Sequence, residues 1–189
     1  MFRKALALAA FTVFALPATA QDYRAAMTDY LSASIANWAS DEVIVAAIKA
    51  ANAERAALTQ ADIDAMDTAW RSEADGGAGP TIDPVLRSAA ADFLRKQVSA
   101  SGGLISEVFI MDTHGLNVAA STVTSDMWQG DEDKHAKTYA AGAGAMFIDE
   151  VEFDESSDTY QGQVSMTISD PETGEPIGAI TVGLDVESL

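Results

Sequence analysis

The hydrophobic period of the chain changes once, at Gly102-Gly103, and that change constrains the fold more than any other feature. Before the two glycines, apolar residues recur at three- and four-residue steps, the spacing of one helix face. After them come β-branched runs that alternate at a period of two, the spacing of one sheet face. A helical first half followed by a strand-forming second half implies an α+β fold with an antiparallel sheet behind a helical N-terminal region.

The helical half runs from Asp22 to about Ser101. Ser40 is read as an N-cap, with Asp41 and Glu42 suited to the positive end of the helix that follows. Val43, Ala46, Ala47, Ala50, Ala53 and Ala57 form one narrow apolar stripe. Thr59 with Asp62 has the spacing of a capping box, opening a segment in which Ile63, Met66 and Trp70 share a face. The run from Asp75 to Pro80 breaks that helix. Asp83 then caps another, with Pro84 at its first position, where a missing N–H costs nothing. Its apolar face, Val85, Leu86, Ala89, Phe93 and Val98, ends at the glycine pair.

Five strands are predicted after it. Leu104 to Met111 is short and nearly all apolar, as a strand buried on both faces would be. A turn over Asp112-Thr113-His114-Gly115 leads to a second strand, Leu116 to Ser121. The polar stretch from Ser125 to Ala140 reads as a short helix or loop. Met146 to Asp154 is the third strand, Tyr160 to Ile168 the fourth, and Ile177 to Val186 the fifth, with a hairpin turn over Asp170 to Glu175.

Charge and composition narrow the function. There are 189 residues with a formal net charge of -18 and no cysteine. An excess of negative charge repels phosphate backbones and anionic lipid heads, so nucleic acid is excluded as a partner. The lack of cysteine removes disulfides, thiol catalysis and thiolate metal sites. Residues 1–20 read as a secretory signal peptide: Arg3-Lys4, an apolar run from Ala5 to Leu16, then Pro17 and Ala18-Thr19-Ala20, with cleavage after Ala20. The apolar run is shorter than the ~20 residues of a spanning helix. No later segment is apolar and long enough to span a bilayer, so the expected product is periplasmic or secreted, with residues 21–103 as helical lead and 104–189 as the strand domain.

Three stretches in order resemble the Cache (PDC) family of extracytoplasmic PAS-like sensor domains. Val108 to Gly115 is similar to that family's first hairpin, an apolar strand ending in Asp-x-x-Gly. Thr124-Ser125-Asp126-Met127-Trp128-Gln129-Gly130 resembles its crossover, which sets a tryptophan over the ligand pocket. Ser169 to Ile180 resembles its last hairpin, with Gly178 opening the closing strand. The resemblance implies a PAS-like five-stranded antiparallel sheet and a small-molecule ligand held between sheet and crossover. Family members usually belong to a chemoreceptor or histidine kinase, so the implied partner of this free-standing form is such a membrane-bound receptor.

The same resemblance implies the site residues. Amino-acid-sensing members carry an arginine two residues before the tryptophan, to clasp the ligand carboxylate; here that position is Asp126, and a carboxylate does not hold a carboxylate. The family's acid for the ligand ammonium falls at or near Asp154. Asp126, Trp128, Tyr139 and Asp154 together imply a pocket for an amine or another small cation, through charge and cation–π attraction. Each residue has a plainer reading beside it. Trp128 and Tyr139 also suit core anchors, Asp126 suits a helix cap, and Asp170 before Pro171 suits a turn.

Metals, cofactors and catalysis find little in the residues. The acidic runs Asp131-Glu132-Asp133 and Asp149 to Asp158 lack calcium-loop spacing and read as solvated charge. His135 near Asp131 makes a poor zinc site. Neither His114 nor His135 stands in a recognisable nucleophile context, and Gly142-Ala143-Gly144 lacks the residues of a phosphate loop. The expectation is a non-enzymatic sensor module without cofactor or metal. The alternative is a protein-interaction module, with the space behind Trp128 filled and an exposed apolar stripe along Asp41 to Trp70.

Overall fold

Side-chain capping decides where the helices begin in the computed structural model, which describes residues 20–154 and 159–189. The predicted signal peptide lies outside the described residues, apart from Ala20, as does part of the acidic run before Asp158. Helix α1 (Ala20–Tyr30) continues through one π-helical turn into α2 (Ala36–Ala39). Helix α3 (Glu42–Arg55) is capped by Asp41, whose carboxylate accepts from the Val43 amide at 3.0 Å. Ser40, the expected cap, instead donates its hydroxyl back to the Asn37 carbonyl. The buried face of α3 is Ile44, Val45, Ile48 and Ala51, and Ala46, Ala50, Ala53 and Ala57 of the expected stripe face solvent. Each buried CH₂ is worth about 0.8 kcal/mol, so the branched side chains set the rotation of the helix and the alanines do not.

The capping box is present: the Thr59 side chain accepts from the Asp62 amide, and Asp62 reaches back to the Thr59 amide, opening α4 (Gln60–Ala74). Beyond it, the single helix expected from Asp83 is two, α5 (Ile82–Leu86) and α6 (Ala89–Ala100). The Glu73 carboxylate accepts from the Thr81 and Ile82 amides and starts α5 one residue before Asp83. Ser88 caps α6 by accepting from Ala91, which turns Ala90, Ala91 and Leu94 into the core. Among the described residues no helix is long and apolar enough to cross a membrane.

The strands are β1 (Ile105–Met111), β2 (Asn117–Ala120), β3 (Met146–Ile148), β4 (Glu152–Asp154), β5 (Thr159–Ser169) and β6 (Pro176–Asp185). They form one antiparallel sheet in the order β2-β1-β6-β5-β3, with β4 also pairing with β5. The sheet therefore has six strands rather than five, because the segment from Met146 to Asp154 is interrupted. Asp149 accepts from the Glu150 amide with its own side chain, a local bond that competes with the ladder. Residues 121–145 cross over the sheet and include α7 (Asp133–Ala136) and a 3₁₀ turn, Tyr139–Ala141. At Gly178, near the start of β6, any Cβ would overlap the Met111 carbonyl oxygen. Only glycine fits there.

The helical lead and the sheet share one core. Val108, Ile110, Val164, Ile168, Ile180 and Val182 pack against Met27, Leu31, Ile35, Ile44, Ile48 and Leu94. The opposite face of the sheet meets α4, α5 and the crossover through Phe109, Met111 and Ala179.

Candidate functional site

The two faces of the sheet differ in chemistry. The lead-facing side of its central strands is aliphatic. On the crossover side, register aligns Glu107, Gly183 and Gln163 in one row, Phe109, Thr181 and Ser165 in the next, and Met111, Ala179 and Thr167 in a third. Ser165 and Thr181 are fully buried and share a hydroxyl hydrogen bond of 2.9 Å. Gln163 Nε2 donates to Glu107 Oε1 at 3.0 Å. Thr167 Oγ1 donates to the Gly142 carbonyl of the crossover at 2.8 Å. Interior faces built only for packing avoid such groups, because each buried hydroxyl or amide needs a partner to offset its desolvation.

The crossover has a pinned first half and a polar second half. Asp67 of α4 accepts from the Met127 and Trp128 amides at 2.9 and 3.1 Å. Trp70 of the same helix, fully buried, donates its indole N–H to the Thr124 carbonyl at 2.9 Å. Asn117 of β2 donates to Thr124 Oγ1 and to the Asp126 carbonyl. After this anchorage, α7 and the 3₁₀ turn bring Lys134, His135, Thr138 and Tyr139 over the polar face. His135 stacks on Tyr139 with ring centroids 5.2 Å apart, and burial pushes the imidazole below its ordinary pKa. Lys134 Nζ sits 5.6 Å from the Phe109 ring centroid.

The polar face opens into a cleft of about 510 Å³ lined by Glu107, Asp149, Glu150, Glu152, Phe153 and Gln163, among others. Four of those side chains are carboxylates, so the cleft favours a cation or an amine. Burial pushes the Glu107 carboxyl above its ordinary value, opposed by the Lys134 charge and the Gln163 hydrogen bond. A carboxyl raised by folding adds stability below the unfolded carboxylate range, and that stability is lost as pH rises through the folded value. Glu107→Gln removes this dependence. We expect the melting temperatures of the two chains to coincide near pH 4.5 and Glu107→Gln to melt progressively higher than wild type towards pH 7.5, in buffered thermal scans. A gap that stays constant with pH would sink the assignment.

Of the residues implied by the resemblance, Trp128 and Tyr139 pack against one buried cluster and Asp126 lies on the same crossover, while Asp154 is on the far strand β4. Trp128 stands at the tip of the β1–β2 hairpin, donating its indole N–H to the His114 carbonyl at 2.9 Å and bridging to Leu116. Asp126 is held by Arg71 at 3.4 Å and by the Gln129 amide. Tyr139 lies on the crossover against His135. Asp154 ends β4 opposite Thr159, past the row where β5 meets the last residue of β6. Since β1 runs between that end and the hairpin tip, roughly 20 Å of strand separates Asp154 from Trp128. Asp170 accepts from the Glu172 amide and from Lys49 at 2.7 Å, as a turn residue does.

Sequence reasoning missed Glu107, Lys134, Gln163 and the Ser165–Thr181 pair. The signal was present: Glu107 is a lone acid inside an apolar strand, and Gln161, Gln163, Ser165 and Thr167 alternate with the apolar face of β5. The apolar stripe expected along Asp41 to Trp70 is not formed by large side chains. Among the described residues the exposed large ones are Met146, Phe153, Tyr160 and Leu189.

No family model matches the chain, and no curated protein does. Solved structures that the chain is similar to include sensor and ligand-binding domains of histidine kinases and chemoreceptors. One is the sensor domain of the V. cholerae histidine kinase DctB, 13% identical, covering 89% of this chain and 55% of that one at a TM-score of 0.41. Another is the ligand-binding domain of the Campylobacter jejuni chemoreceptor Tlp3 with 4-methylisoleucine, 12% identical over 84% of this chain and 63% of that one, TM-score 0.40. A third is the ligand-binding domain of the Pseudomonas fluorescens chemoreceptor CtaA with L-serine, 12% identical over 87% and 62%, TM-score 0.38. The chain spans between 55% and 63% of the length of these three domains.

Proposed function

We propose that this chain is an extracytoplasmic ligand-binding sensor module whose cleft takes a small amine or similar cationic metabolite. The observation that carries the reading is the asymmetry of the sheet. One face is aliphatic, and the other buries the hydroxyls of Ser165, Thr167 and Thr181 and carries the half-buried Gln163 amide and Glu107 carboxyl beside an acidic cleft. The proposed site comprises Glu107 and Gln163 on the sheet, Lys134 and Tyr139 on the crossover, and the strand that ends at Asp154. Asp126 and Trp128 hold the crossover in place. The occupied form would act on a separate membrane-bound chemoreceptor or histidine kinase, the class of partner that the sequence resemblance implies.

Binding stabilises the folded state by mass action, about 2.7 kcal/mol when free ligand is a hundred times its dissociation constant. At this chain length that corresponds to a rise in melting temperature of about 5–10 °C. Thermal scans against matched panels of primary amines and carboxylates should show concentration-dependent shifts with amines only. No shift with any amine overturns the reading. A second reading, a protein-interaction module, draws on the exposed Met146, Phe153 and Tyr160, which lie on the edge strands β3 and β4 and on β5 facing them. It predicts no shift with either panel.

A further inference from the structure

Lys134 is the anomaly of the crossover. Lysines keep their ammonium in water and lay the stem along apolar surface, and Lys137, one turn further on, does so with its side chain 52% exposed. The Lys134 side chain is only 12% exposed and turned inward. Its ammonium meets Glu132 Oε2 at 2.7 Å and Gln129 Oε1 at 3.1 Å, and stands over the Phe109 ring at 5.6 Å. Its charge also reaches the half-buried Glu107 carboxyl at the head of the cleft. A carboxylate, an amide oxygen and an aromatic face are three partners that recognise an alkylammonium head, one for each of its N–H directions.

Removing a lysine ammonium from water costs several kcal/mol unless such partners replace the lost solvent. In α7, a single turn, Asp133 and Ala136 are exposed and His135 is buried, so Lys134 lies on the turn between an exposed and a buried neighbour. From the cleft, Glu107 connects the acidic rim at Asp149, Glu150 and Glu152 to the row beneath Lys134. We infer that Gln129, Glu132 and Phe109 form a seat for a primary ammonium group, filled in the unliganded protein by the chain's own Lys134, and that an aliphatic primary amine entering past Glu107 takes this seat as Lys134 swings out. The inference rests on the amine reading above and adds to it a named seat and a built-in competitor.

Alanine at position 134 removes the atoms of n-propylammonium from the seat, so that ion is the probe. Thermal scans of the full chain should show Lys134→Ala responding to n-propylammonium chloride at a concentration at least tenfold lower than wild type requires, with no response to propionate or tetramethylammonium. Lys134→Met keeps the stem and removes the charge, so it serves where alanine fails to fold. It too should respond at lower concentration than wild type, because the displaced group is no longer a cation. Equal responses in wild type and both variants overturn the seat while leaving the amine reading standing, since the amine then binds elsewhere. No response to n-propylammonium or any other primary amine in any chain overturns both. A propionate response present in wild type and lost in the variants also overturns the seat, making Lys134 the partner of a carboxylate.

Discussion

Asp112→Ala is expected to destabilise the chain by about 3–5 kcal/mol, the range for breaking a buried ion pair from one side. Asp112 is fully buried at the end of β1, and both of its oxygens are used. Oδ2 accepts from Arg55 Nη1 at 2.8 Å, while Oδ1 accepts from the His114 and Leu116 amides at 2.8 and 3.0 Å. Arg55 is itself 16% exposed at the end of α3 and also donates to the Asn117 carbonyl. One carboxylate therefore ties the helical lead to the first hairpin and holds that hairpin's turn. Alanine leaves a guanidinium without its counter-charge and two turn amides without an acceptor, each of the latter worth about 1–3 kcal/mol when buried. Thermal unfolding of the full chain should show a melting temperature lower by about 6–20 °C at this length. Asp112→Asn keeps one acceptor for the turn and should fall between alanine and wild type. A loss under about 1 kcal/mol for alanine would mean the pair contributes no more than a surface bridge.

What could be read from the sequence was what depends on near neighbours along the chain. The Thr59–Asp62 box, the helix stop at Gly102-Gly103 and the hairpin turns at Asp112 to Gly115 and Asp170 to Glu175 all form where the residue types alone place them. Their chemistry spans three to five residues and needs no partner from elsewhere. The rotation of α3 could not be read this way. Its alanine stripe and its Ile44–Ile48 face are both periodic, and the sheet decides between them by what it buries. The single helix read from Asp83 and Pro84 is likewise divided by contacts beyond its own start: the structure uses a carboxylate from Glu73 to begin one helix and Ser88 to begin the next.

The candidate site was the least legible part because its logic is tertiary. Glu107 would be a solvent-facing residue if the crossover did not cover its side of β1, and Lys134 would be an ordinary surface lysine on an exposed turn. Family resemblance pointed at the crossover, in the half that Asp67 and Asn117 pin. There, a tryptophan and an aspartate were expected to line a pocket, and they are found bonded to the hairpin tip and to Arg71. The pattern that matters, polar residues on the covered face of β5 and β6, looks in one dimension like any half-exposed strand.

That contrast sets the expected result for Trp128→Ala, the second large effect. The indole donates to the His114 carbonyl, its amide is held by Asp67, and the ring packs against the core that includes Phe109 and Leu116. A Cβ on Gly130 would overlap the indole nitrogen, so the ring lies closely against the backbone on that side. Truncation should cost about 3 kcal/mol, the lower end of the range for large aromatic residues because the ring is only half-buried. The melting temperature should fall by about 6–12 °C. Trp128→Phe keeps an aromatic ring but loses the hydrogen bond, about 1 kcal/mol, and part of the indole's packing, so it should fall between alanine and wild type. Because the proposed ammonium seat uses Phe109, Gln129 and Glu132, the n-propylammonium concentration giving half of the thermal response should move less than threefold in Trp128→Phe. Trp128→Ala, assayed by calorimetric titration well below its lowered melting temperature, should retain amine binding to the same extent. The opposite pattern, a stability loss below about 1 kcal/mol with binding abolished, would put Trp128 against the ligand. The recognition surface would then lie at the hairpin tip, between Asp126 and Trp128, and the Glu107 cleft would be a solvent channel.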